Sequence, residues 1–111
     1  MRFLRRNRVV IVVVDKVEEF EEKYWDNPLT NEYIEGILID KLSEVGKFSS
    51  KLYKVSDADE KVVWVVWGCY RLDELMKKVH IGDCVRIVFK GMVDTRSGNK
   101  MKDFSVEVLN D

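Results

Sequence analysis

Two stretches near the end of the chain restrict the fold more than anything else in it. Val85, Ile87 and Phe89 alternate with Cys84, Arg86, Val88 and Lys90, and further on Phe104, Val106 and Val108 alternate with Asp103, Ser105 and Glu107. A period of two places one set of side chains on a single face of a pleated strand, whereas a helix would scatter them around its circumference. Between the two runs, Thr95-Arg96-Ser97-Gly98-Asn99-Lys100 supplies turn residues. Gly98 and Asn99 tolerate positive φ at little cost. The segment therefore reads as a hairpin with a basic tip, its inward face made by Val85, Ile87, Phe89, Phe104, Val106 and Val108.

The other end of the chain poses a different constraint. Val9 to Val14 is a run of six aliphatic residues, five of them valine. It is far too short to cross a bilayer as a helix, and it reads as a strand that needs a partner. Arg2, Arg5, Arg6 and Arg8 precede it, as in a secretory leader, but the run is short, ends at Asp15 and lacks a small-residue cleavage site. Export is not expected, and a cytoplasmic location is. After it, Asp15 and Glu18 have the spacing of a capping box, and Val17, Phe20 and Tyr24 fall on one helical stripe. An acidic helix is predicted there, stopping near Asn27-Pro28 because proline disfavours helical backbone at the residue before it.

Between these ends the pattern is one of strands. Tyr33 to Leu42 reads as a long strand bent at Gly36, Lys51 to Val55 and Val62 to Trp67 as two shorter ones, and Ser56 to Lys61 as an acidic turn. Leu72, Leu75, Met76 and Val79 space as one face of a short helix, with Asp73 and Glu74 early and Lys77 and Lys78 late, as the helix dipole favours. At 111 residues the chain holds a single core. The predicted order after Pro28 is three strands, a helix and two strands.

That order is the order of the five-stranded Greek-key barrel known as the OB fold. From Tyr33 to Val108 the chain resembles small phage and archaeal OB-fold proteins associated with single-stranded DNA. The residues carrying the resemblance are Glu35-Gly36, Val45-Gly46-Lys47-Phe48, Lys51-Leu52-Tyr53, Val66-Trp67-Gly68, Ile81 to Ile87 and Ser97 to Phe104. The expected architecture is thus all-β with small helices. Residues 1–31 would form a strand–helix extension, and residues 32–111 an OB barrel with its helix between the third and fourth barrel strands.

The resemblance implies where a ligand would lie: across the second and third barrel strands, flanked by the loops after the first and fourth. Those regions hold Lys47, Lys51, Lys54, Arg96, Lys100 and Lys102, together with Phe48, Tyr53 and Trp64. Cations meet phosphates and flat rings stack on unpaired bases, which is the chemistry of single-strand binding. Trp64 and Trp67 have opposite strand parity. The Trp-Gly position assigns Trp67 to the core and leaves Trp64 facing outward, although any one of these lysines or rings taken alone is as readily solvated surface or core.

Charge fits this reading without demanding it. The net charge is −1, but residues 15–44 carry ten acids against three lysines, so the acid is gathered into one block. The absence of glutamine, the single alanine and the abundance of Lys and Glu match heat-adapted composition. Cys69, Cys84 and His80 are one ligand short of a closed zinc site and follow no finger spacing, so neither metal nor cofactor is expected. A Cys69–Cys84 disulfide is left open. No nucleophile–base pair or phosphate-cradling glycine loop is present, which points away from an enzyme. The expected function is non-catalytic binding of single-stranded DNA with little sequence preference. The alternatives are RNA binding through the same chemistry and a protein-interaction or assembly module that uses Val9–Val14 as an edge strand, including across a homodimer.

Overall fold

A computed structural model describes residues 7–13 and 16–110. Its elements are β1 (Asn7–Val13), β2 (Lys16–Tyr24), β3 (Tyr33–Val45), β4 (Ser50–Asp57), β5 (Val62–Trp67), α1 (Tyr70–Met76), β6 (Cys84–Asp94) and β7 (Lys100–Val108). All seven strands belong to one sheet in the order β1-β2-β5-β4-β3-β6-β7. β3, β4 and β5 follow one another as antiparallel neighbours, and β6 returns to lie beside β3. Three consecutive strands with a fourth placed against the first make a Greek key. The mostly-β class with one short helix between β5 and β6 is therefore as expected. Among the described residues, no helix is long and apolar enough to cross a membrane.

The anticipated C-terminal hairpin forms, and its register sets the expected inward residues against one another, Phe89 opposite Phe104, Ile87 opposite Val106 and Val85 opposite Val108. Phe89 and Phe104 are buried and meet edge to face at 5.4 Å. Val106 packs partly against the core, but Val108, at the strand's end, is exposed. Gly98 closes the turn at φ +85, and the Thr95 amide donates to the Asn99 carbonyl. The alternation conceals a bulge between Phe89 and Gly91, where Gly91 takes φ +98.

Gly36 serves a close approach of backbones. A β-carbon at that position would collide with the Ser56 carbonyl of β4. β3 can lie flush against β4 there only because the side chain is missing. Further along, β3 is bulged at two places, between Leu38 and Asp40 and between Leu42 and Val45.

The N-terminal extension departs from expectation. Residues 16–24 form strand β2, not an acidic helix. β2 pairs antiparallel with β1 along its length and parallel with β5 through Glu21–Tyr24. Asp15, the expected helix cap, lies outside the described residues. Helical spacing in this stretch is a weak preference that tertiary pairing overrides. The aliphatic run needs a ladder partner, and the segment directly following it is the nearest chain available. As expected, the run enters the sheet as an extra strand, through Val13, but the segment beside it is a strand and not a helix; Val14 lies outside the described residues.

The core gathers Leu38, Tyr53, Val55 and Val66 from the sheet with Leu72, Met76 and Val79 from the helix segment, all buried. Trp25, just after β2, joins it and meets Phe104 of β7 at 6.2 Å. The Lys41 ammonium donates to the Met76 and Val79 carbonyls at 3.0 and 2.8 Å. It thereby caps the end of α1 from β3, satisfying carbonyls that have no partner within the helix.

Candidate nucleic-acid interface

Strand register decides which aromatic residues face solvent. Trp64 lies opposite Val55, on the face that holds Tyr53 and Val66, and packs partly buried against the core. Trp67 lies opposite Leu52 on the other face and is 41 % exposed. The expected assignment of the two tryptophans is therefore reversed: Trp67 is the outward ring. Parity was read correctly, but which parity faces the core depends on the partner strands.

Tyr53 is corrected in the same way. It is 2 % exposed, and its hydroxyl donates to Asp73 Oδ1 at 2.7 Å, so it cannot stack on a ligand base. Burial first, and then this hydrogen bond, raise the phenol's pKa well above its ordinary value. The contact ties β4 to α1. Lys51 is exposed but shares its strand face with Tyr53, and its carbonyl accepts from the Gly68 amide.

The outer face of β4 and β5 does not form a continuous basic groove. Phe20, Leu52, Val63 and Val65 on that side are buried, and Lys54 is paired with Glu22 at 3.1 Å. The Trp67 end of this face is open. There Trp67 stacks on Tyr24, with centroids 6.2 Å apart and rings 18° from parallel. Phe48, 83 % exposed, stands at the tip of the β3–β4 turn with the Lys47 ammonium 5.8 Å from its ring centre. Val45, Gly46, Lys47, Phe48, Ser50 and Trp67 enclose a cleft of about 400 Å³. Gly46 has φ +76, and a β-carbon there would sit 3.5 Å from the Trp67 ring edge. This glycine supplies the positive φ that the turn requires, in ordinary contact distance of the ring.

On the other side of Trp67, a smaller cleft of about 100 Å³ brings in Lys102, Trp25 and Phe104. Trp67 thus stands between the β3–β4 turn and the β6–β7 hairpin. Of the expected binding residues, Lys47, Phe48 and Lys102 come to this place. Lys100 is held by Asp94 at 2.9 Å, and Arg96 is exposed at the hairpin tip. Tyr24 and Trp67 were missed. A strand reading of 16–24 would have put Phe20, Glu22 and Tyr24 on one face and so flagged Tyr24.

A concavity of about 590 Å³ lies between β3 and the β4–β5 turn. Its lining includes Glu35, Asp57, Asp59 and Glu60, the wrong charge for a polyanion. Across the neighbouring strands, Arg86 bridges Glu35 at 3.1 Å and Glu107 at 3.7 Å and lies over the Tyr33 ring. Cys69 and Cys84 are free thiols, and among the described residues no three His, Cys, Asp or Glu side chains converge on a metal position. No family model, curated protein or solved structure matches the chain.

Proposed function

We propose that β3 to β7 with α1 form an OB-type unit, and that its Trp67 end binds single-stranded nucleic acid, DNA in preference to RNA, without catalysis. The observation that carries this reading is the exposed Trp67–Tyr24 stack, flanked by Phe48 and Lys47 on one turn and Lys102 on the opposite hairpin. A ring between two cationic arms suits a strand with bases stacked inward and phosphates outward. Each stacked base contributes about 1–3 kcal/mol. The Greek-key order and the helix position support the OB assignment. β2 runs parallel to β5 and extends that face with Tyr24.

The test is fluorescence polarisation with labelled single-stranded DNA, single-stranded RNA and duplex. Trp67→Ala is expected to weaken single-strand binding by about 1–3 kcal/mol with little change in the melt. Trp64→Ala is expected to cost about 3 kcal/mol of stability instead. Equal affinity for duplex and single strand, or full affinity in Trp67→Ala, overturns the reading.

A further inference from the structure

β1 stands at one end of the sheet, and among the described residues its backbone is laddered on one side only, to β2. Its register with β2 runs from Asn7 to Val13 without a shift. Among the described residues, the strand thus offers an unbulged row of amides and carbonyls along its free edge. Proteins guard such edges with proline, lysine, bulges or short strands. β7, at the other end of the sheet, carries Lys100, Lys102, Asp103 and Glu107. β1 has none of these devices from Val9 onward: its sequence there is Val-Val-Ile-Val-Val.

We propose that the free edge of β1 is an interface for a second copy of the chain, the two β1 strands pairing antiparallel about a two-fold axis at Ile11. Sequence chooses this occupant. With Ile11 opposite its own copy, Val9 meets Val13 and Val10 meets Val12, so five successive rungs set aliphatic against aliphatic. Arg8 falls outside those rungs. An isologous contact closes on itself, so it ends at a dimer and does not propagate into a fibre. Two seven-stranded sheets become one. The interface is separate from the Trp67 site, and neither reading depends on the other.

Register also supplies a variant that separates pairing from folding. Ile11 lies opposite Glu18 of β2. Ile11→Lys sets a lysine opposite a glutamate in the ladder within the chain, a cross-strand pairing of favourable charge. In the dimer, two ammoniums would oppose each other on the axis. Light scattering on the wild-type chain is expected to give twice the 13.1 kDa of one chain. Ile11→Lys is expected to give the single-chain mass, with its circular dichroism and melting temperature measured in dilute protein retained. A wild-type mass of one chain throughout a concentration series overturns the proposal, as does a folded Ile11→Lys that remains a dimer. Should Ile11→Lys fail to fold, Val10→Lys, opposite Glu19 in the same ladder, replaces it: in the dimer register it would set a lysine opposite Val12 at two rungs, and the same two outcomes apply.

Discussion

Tyr53 shows how one residue's role follows from which side of a strand it takes. As a solvent-facing ring it would bind; as a buried ring bonded to Asp73 it holds α1 against the sheet. Tyr53→Phe keeps the ring and removes the hydroxyl, leaving the Asp73 oxygen without that donor. A urea melt is expected to show a loss of about 1–2 kcal/mol, with oligonucleotide affinity unchanged. An affinity loss without a stability loss would return Tyr53 to the ligand face. Gly68 belongs to the same arrangement: a β-carbon there would run into the Asp73 carboxylate. The Trp-Gly pair visible in the sequence is therefore explained by its glycine, which makes room for Asp73, while its tryptophan faces out.

At the scale of elements, the join between the helix segment and β6 depends on Asp83. Its carboxylate accepts from the His80 amide at 2.8 Å and from the Asn110 side chain at 2.9 Å. These bonds, the His80 amide first, hold its pKa below the ordinary value of 3.8. A carboxylate depressed in the folded state contributes stability that is complete above the unfolded pKa and is lost as pH falls through the folded one. Asp83→Ala is accordingly expected to melt below wild type at about pH 6, and the gap to close under about pH 4. Thermal melts across that range measure it; a gap independent of pH would assign the effect to packing. The elements themselves were unevenly legible. The C-terminal hairpin follows directly from alternation, β5 from its unbroken run of β-branched and aromatic residues, and α1 from its 3.6-residue stripe, because each pattern is local. β2 was not legible, since Val17, Phe20 and Tyr24 satisfy a helix and the strand exists only through β1 and β5. The tryptophan assignment failed for the same reason. Parity is written in the sequence, but the face that becomes the core is set by residues distant in the chain.

For the whole molecule, a net charge of −1 means that no general basic surface draws a polyanion in. With Lys47 and Lys102 as the two phosphate contacts of the proposed site, the slope of log K against log salt for a single strand is expected near −1.4. Lys102→Ala should reduce it by about 0.7, while Lys100→Ala, already neutralised by Asp94, should leave it unchanged. Affinities measured at several salt concentrations decide this, and a slope several times steeper would place the binding surface elsewhere. The sheet order also has a kinetic consequence. Adjacent hairpins such as β6–β7 close short loops, whereas β2 reaches β5 across β3 and β4, and the entropy of closing so long a loop slows that step. The Tyr24–Trp67 stack lies on this late ladder. Under the proposed function, a refolding chain assembles its hairpins before the site that would grip a strand exists, so that binding competence would mark the end of folding.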